Sequence, residues 1–309
     1  MINVYESETA NKRNSFLVVS GFLIFIFISA YLISRGIAYY YGYLSSGFEF
    51  TGIALVISGL TGFASYFYSD KIILALSHAR RADRKHDFLF FSVVENLSLA
   101  SGLPMPALYV IEDSAMNAFA TGRDPAHAVV CVTSGLVSRL NRTELEGVIA
   151  HEMSHIRNYD IRLMSLVTVM VGSLTLLGDW LFRASWFSGS GDRDEKDRGA
   201  GSIALVVGIL FALVSPLIAQ LIQLAISRQR EYYADAAAVK LTRQPGGLIS
   251  ALKKLGMDKE PLEAANKATA HLYIVNPLLN RHDSVGWFSN LFATHPPLNE
   301  RIARLENMS

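Results

Sequence analysis

Hydrophobic and polar positions are organised along this chain on two scales. On the long scale, whole stretches carry no charge. Phe16 to Ser34 is a run of 19 uncharged residues, and Phe50 to Tyr68 is another of 19. As a helix, such a run spans about 28 Å, close to the ~30 Å hydrocarbon core of a bilayer. Tyr39, Tyr40 and Tyr41 follow the first run, as in an interfacial aromatic belt. A cleaved signal peptide needs a shorter apolar region, about 7–15 residues, and a small-x-small site. The pattern therefore predicts an uncleaved anchor. Two later runs, Leu163 to Gly178 and Ile203 to Ser227, bracket a charged, glycine-rich loop over 188–202. They read as a transmembrane hairpin. A buried or interfacial hairpin is the alternative, because the first of the two has only 16 residues.

On the short scale, residues 87–160 read as a folded polar-surfaced unit. Asp87 caps a predicted helix running to about Ala100, ended by Ser101-Gly102-Leu103-Pro104. Ala107–Ile111, Met116–Thr121 and Ala128–Thr133 read as three strands of a small, partly antiparallel sheet. Gly135–Leu140 reads as a short helix, and Thr143-Glu144-Leu145-Glu146 as a capping box that starts another. Leu145, Val148, Ile149 and Ile156 share a face at helical spacing. Past the hairpin, a helix from Arg228 is expected to end at Gln244-Pro245-Gly246-Gly247. Helices near 248–255 and 261–270 follow, then an irregular stretch from Asn276 to Asn290, and a last helix from Leu298 to Glu306.

Composition sharpens the membrane reading. The chain is 51% hydrophobic and 18% charged, more apolar than a typical soluble domain, and the excess lies in the uncharged runs. Asn11-Lys12-Arg13-Asn14 precedes the first run, and His78-Ala-Arg-Arg-Ala-Asp-Arg-Lys-His86 follows the second. The positive-inside rule then places the N-terminus, and everything after residue 69, in the cytoplasm. The basic stretch can also meet anionic lipid head groups. A net charge of +1 gives no argument for a nucleic-acid partner. Cys131, the one cysteine, excludes an intramolecular disulfide and a multi-cysteine metal site, and reads as a small core residue.

The chemistry is concentrated in His151-Glu152-Met153-Ser154-His155, an H-E-x-x-H motif. Residues four apart on a helix share a face, so both imidazoles point one way with a carboxylate beside them. Two neutral imidazoles suit Zn²⁺, and the carboxylate can take a proton from a metal-activated water. A catalytic zinc takes three protein ligands. The zinc-protease class with a third histidine six residues after the second is excluded, because Ile161 stands there. That points to a carboxylate. If the hairpin spans, Asp179, Asp192, Asp194, Glu195 and Asp197 lie across the bilayer from the histidines, whereas Glu231 returns to their side. Asp235, one turn further, is placed to orient a histidine ring.

Together these stretches resemble the HtpX family of membrane zinc metalloproteases, relatives of the prenyl-protein endoproteases. The resemblance runs through Asn11-Lys12-Arg13, Asn117-Ala-Phe-Ala-Thr-Gly122, His151-Glu-Met-Ser-His-Ile-Arg-Asn-Tyr-Asp160, Arg230-Glu-Tyr-Tyr-Ala-Asp235 and Thr294-His-Pro-Pro-Leu-Asn-Glu-Arg301. It implies a mainly α membrane protein with four hydrophobic helices and a cytoplasmic α+β zincin-like metalloprotease domain holding a small sheet. The expected division is 1–69 (tail and two spans), 70–162 (sheet and motif helix), 163–227 (hairpin) and 228–309 (the rest of the catalytic domain).

The resemblance further implies one Zn²⁺ per chain on His151, His155 and Glu231, with Glu152 as base. Asp160 and Asp235 are expected to support the ligands. Asn117, Ala118, Phe119 and Ala120 are expected to form an edge strand that pairs with an extended substrate. His295 is expected to steady an oxyanion, with a helix-capping role as its alternative. Expected substrates are misfolded or damaged membrane proteins, in quality control under stress. One rival is a catalytically idle zinc-binding membrane chaperone or adaptor, which would have no need of Glu152. Another is a transporter or channel, which would carry ionisable groups in its spans, and the first two runs have none.

Overall fold

A computed structural model describes residues 4–41, 51–170, 172, 228–264, 269–275 and 296–308. Most of the 163–227 hairpin, the 188–202 loop, the Asn276–Asn290 stretch and His295 lie outside the described residues.

Helix α1, Val4–Tyr41, carries the whole first uncharged run on one continuous backbone. Helix α2, Thr51–Leu76, carries most of the second and packs along α1. Taken over the described residues alone, no helix is long and apolar enough to cross a membrane. The two helices nonetheless point large apolar side chains outward, among them Phe16, Leu17, Ile24, Val56, Leu60 and Phe63.

A sheet follows. Its strands are β1 (Arg80–Arg81), β2 (Ala107–Ile111), β3 (Ala118–Gly122) and β4 (Ala128–Thr133), in the order β1-β2-β4-β3. The β2–β4 pair is parallel; β1–β2 and β3–β4 are antiparallel. The mixed sheet agrees with three of the expected strands. The two-residue β1 was not expected, because a strand made of Arg-Arg inside a basic stretch has no apolar alternation to betray it. β3 begins two residues later than its pattern indicated, because Asn117 uses its side chain on neighbouring backbone.

Both faces of the sheet are covered, which explains why β4 (Ala-Val-Val-Cys-Val-Thr) is buried throughout. Ala128, Val130 and Val132 point into the main core with α3 (Phe88–Ser101) and α5 (Arg142–Arg157). Val129 and Cys131 point the other way, onto Phe119, Met164, Leu272 and Tyr273. Helix α4 (Ser134–Arg139) links β4 to α5. A helix over 160–170, α6, follows α5. Helices α7 (Arg228–Thr242), α8 (Pro245–Met257) and α9 (Leu298–Glu306) close the core around α5.

Three expectations need correction. The α5 capping box is Asn141 with Glu144, not Thr143 with Glu146: Asn141 Oδ1 accepts from Glu144 N, and Glu144 Oε2 accepts from Asn141 N. Asn is as good a cap as Thr, and here it starts the helix earlier. Gln244-Pro245 does end α7, but Pro245 also opens α8, where its missing N–H costs nothing. The helix expected at 261–270 does not form over its described residues: Leu262 is buried in irregular chain with Ile111, Phe119 and Tyr273, and Ala270 is buried at the start of a short 3₁₀ turn, Ala270–Leu272.

A candidate metal centre

The site grows from the middle of α5. Its apolar stripe of Leu145, Val148, Ile149, Met153 and Ile156 is fully buried and fixes the helix rotation. Gly147 lets α8 approach closely: a Cβ there would lie 2.8 Å from the Leu248 Cα. With that rotation set, His151, Glu152 and His155 all point inward and are buried.

Helix α7 packs along α5 and delivers Glu231 between the two imidazoles. The three inward groups form a triangle. His155 Nε2 lies 3.3 Å from His151 Nε2. Glu231 Oε2 lies 3.6 Å from His151 Nε2, and Glu231 Oε1 lies 3.5 Å from His155 Nε2. Donors about 2.0–2.1 Å from a tetrahedral ion stand roughly 3.4 Å apart. Each Glu231 oxygen faces one imidazole at about that spacing, and one atom from each of the three residues lies within 4.8 Å of the others, so the two nitrogens and the carboxylate can hold a single cation. Beside the triangle, a cavity of about 10 Å³ is lined by Ala120, Glu152, Met164, Leu272 and Ile274 as well as the three ligands. That is room for about one water.

Each imidazole is held from behind. Asp235 Oδ1 is 2.9 Å from His151 Nδ1, and Asp160 Oδ2 is 2.9 Å from His155 Nδ1. Both carboxylates accept from Nδ1–H, so each ring, when neutral, turns its Nε2 lone pair toward the centre. Burial and the nearby Arg301 disfavour charge on His151, but hydrogen bonds to Asp235 and Glu231 outweigh them and push it up to about 9. Burial likewise opposes a charged His155, and the Asp160 hydrogen bond and Glu231 overcome it and raise it. For Asp235, burial opposes the charge, and Arg301 with the His151 hydrogen bond brings the carboxyl down to about 2. The pocket is built to face positive charge at its centre.

The expected histidines, Glu152, Glu231, Asp160 and Asp235 all converge. The substrate strand is placed at a sheet edge, but that edge is partly taken. Ile274 N donates to Ala118 O at 3.0 Å, and Asn117 Nδ2 donates to Val275 O at 2.9 Å. Phe119 points away from the site onto the Tyr273 ring, while Ala120 lines the cavity.

Two residues not singled out belong to the site. Arg301 is completely buried and grips Asp235 through Nε and Nη2. A signal for it exists: on α9 it falls on the same stripe as Leu298 and Leu305, a charge at an apolar position. Asn11, on α1, donates to Asp160 Oδ1 at 2.6 Å. Nothing in its local pattern points there.

Residues 90–309 match the model of peptidase family M48. A "Protease HtpX homolog" of Thermoanaerobacter pseudethanolicus is 43% identical over 309 residues, 99% of this chain and 98% of that one. One from Dictyoglomus turgidum is 44% identical over 308 residues, covering 98% and 94%. The chain belongs to peptidase family M48. A crystal structure of S. mikatae Ste24p aligns with a TM-score of 0.48 and 19% identity, covering 99% of this chain and 67% of that one. An M48 peptidase carries a metal ion, and among the described residues of this member the His151–His155–Glu231 cluster can bind it.

Proposed function

We propose that this M48 member is a zinc-dependent membrane endopeptidase that cleaves misfolded or damaged membrane proteins, or other unfolded polypeptide, at the cytoplasmic face. The observation that carries the reading is the buried triangle of His151, His155 and Glu231 with Glu152 on the same helical turn. The relatives' shared name, protease, supports the reaction class.

The donor set fits zinc, which when bound supplies a Lewis acid that activates water and polarises a carbonyl. The chain's residues do the rest. Asp235 and Asp160 hold the imidazoles in the tautomer that turns Nε2 inward. Glu152, buried beside the cavity that admits one water, takes that water's proton as it attacks the peptide carbonyl. The same carboxyl then protonates the leaving amine. His295 is assigned to steady the developing oxyanion. The segment Asn117–Ala120 is assigned to hold extended substrate by backbone pairing.

Membrane insertion is supported by the outward apolar side chains of α1 and α2 and by the uncharged runs that these helices carry. Flanking basic residues favour a cytoplasmic active site. The hairpin at 163–227 is read as a further pair of spans.

The test is Glu152→Gln in the detergent-purified full chain, with metal analysis and cleavage of an unfolded substrate such as casein. Retained zinc with cleavage lost supports the mechanism; cleavage at the wild-type rate rules it out. A chaperone or adaptor reading predicts zinc without cleavage in the wild type as well.

A further inference from the structure

We infer that Asn11, at the start of the N-terminal helix, is a positioning residue of the metal site, acting on His155 through Asp160. This rests on the reading of the His151–His155–Glu231 cluster as a metal centre. It gives the segment before the first apolar run a second role besides anchoring.

The geometry is a relay. Asp160 uses Oδ2 to hold His155 Nδ1 at 2.9 Å. Its other oxygen, Oδ1, accepts from Asn11 Nδ2 at 2.6 Å. The same amide nitrogen donates to the Asn158 carbonyl at 2.8 Å, and Asn11 Oδ1 accepts from Arg230 Nη1 at 3.1 Å. Asn11 is itself buried. One side chain from α1 therefore ties together the turn that presents Asp160 and the residue next to Glu231 on α7.

The turn needs such a tie. α5 stops at Arg157 and α6 restarts at residue 160. Between them Tyr159 has φ +58°, a left-handed conformation that is strained for a non-glycine residue. Two neighbouring α1 side chains hold this strained turn: Asn11 bonds the Asn158 carbonyl, and Lys12 Nζ lies 4.4 Å above the Tyr159 ring. Without Asn11, Asp160 Oδ1 would keep only the longer Arg230 Nη1 contact at 3.6 Å, and Asp160 would orient His155 less firmly.

The residue type fits. A neutral amide can donate to the Asp160 carboxylate and accept from the Arg230 guanidinium at once. An aspartate there would repel Asp160, and a lysine or arginine would repel Arg230.

The experiment uses the full chain in detergent, with zinc affinity measured by chelator competition and thermal stability measured with and without zinc. Asn11→Ala is expected to weaken zinc binding roughly tenfold, and Asn11→Asp more, in the range for groups that orient metal ligands. Added to Asp160→Asn, Asn11→Ala is expected to weaken zinc little further, because both act on one relay. Ser15→Ala removes a hydrogen bond one turn along α1 that touches only the Asn11 carbonyl, and is expected to leave zinc affinity unchanged. The inference is overturned if Asn11→Ala and Asn11→Asp lower stability equally with and without zinc while zinc affinity stays at the wild-type value. It is also overturned if Ser15→Ala weakens zinc as much as Asn11→Ala, or if the effects of Asn11→Ala and Asp160→Asn simply add. If Asn11→Ala does not fold, the near-isosteric Asn11→Asp decides. A wild-type chain that binds no zinc overturns the metalloprotease reading and this one with it. Zinc binding that depends on His155 but not on Asn11 overturns this one alone.

Discussion

Arg301 grips both carboxylate oxygens of Asp235, with Nε 2.9 Å from Oδ2 and Nη2 2.7 Å from Oδ1. Asp235 in turn holds His151 Nδ1 at 2.9 Å. The last helix of the chain thus fixes the first ligand of the motif. Breaking one partner of a buried pair costs about 3–5 kcal/mol, because the other charge is left uncompensated. Arg301→Met is therefore expected to destabilise the protein by about that much, and to weaken metal binding about 10–100-fold. Arg301→Lys should rescue little, since an ammonium cannot make the two parallel bonds. Thermal melts and chelator competition on the three proteins check this; a lysine variant that binds metal like wild type would sink it.

Glu231 completes the triangle from α7, 3.5 and 3.6 Å from the two imidazoles. Glu231→Ala is expected to abolish stoichiometric metal binding, and with it cleavage. Stripping the wild-type protein with a chelator should lower its melting temperature, because a ligand held at 1,000 times its Kd contributes about 4 kcal/mol to the folded state. Elemental analysis together with melts before and after metal is added back gives the answer. Unchanged metal content in the Glu231→Ala variant would remove Glu231 from the site.

Gly147 permits the close contact between α5 and α8, with Leu248 backbone atoms 2.8 Å from where a Cβ would sit. Backbone cannot yield as a flexible side chain can. Gly147→Ala is expected to destabilise by about 1–3 kcal/mol despite the better helix propensity of alanine. It should also lower activity, since the shift acts on the helix that carries the motif. Denaturant melts measure the first effect; a stabilised variant would show that the helices slide apart at no cost.

Glu144 links the α5 cap to α8. Burial disfavours its charge, but hydrogen bonds from Lys254, Ser250 and the Asn141 N–H outweigh burial and hold the carboxyl below its ordinary 4.5. A carboxylate with a lowered folded pKa contributes stability that is present above the unfolded value. That contribution is lost as pH falls from about 4.5 through the lowered value. Glu144→Gln is expected to be less stable than wild type at neutral pH, with a shallower loss on acidification. Melts at neutral pH and at pH ~3.5 test it, and parallel acid curves would contradict it.

Much of the site is legible in the sequence alone. The motif spacing places His151, Glu152 and His155 on one face because helical periodicity is a local property. Glu231 and Asp235 are the carboxylates that the expected hairpin would return to the histidines' side. Arg301 is within reach as a charge on the apolar stripe of α9, although its partner is not. Asn11 stands in one of the stretches that carry the resemblance, but its role is beyond reach, because nothing local announces a partner 149 positions away. β1 and the turn at Asn158–Tyr159 escape for a related reason: both are set by what packs against them, not by their own pattern.

The chain's own order of residues determined the donor types: two imidazoles and a carboxylate at helical spacing, with a further carboxylate, Glu231, beyond the later hydrophobic runs. Tertiary structure alone decided the rest. It brought the three donor groups within 3.3–3.6 Å of one another, gave each imidazole its own carboxylate, and locked those carboxylates with Arg301 and Asn11. The reason is physical: local pattern selects which face a side chain takes. The distance between faces on different elements is set only when those elements pack and their buried charges must find partners.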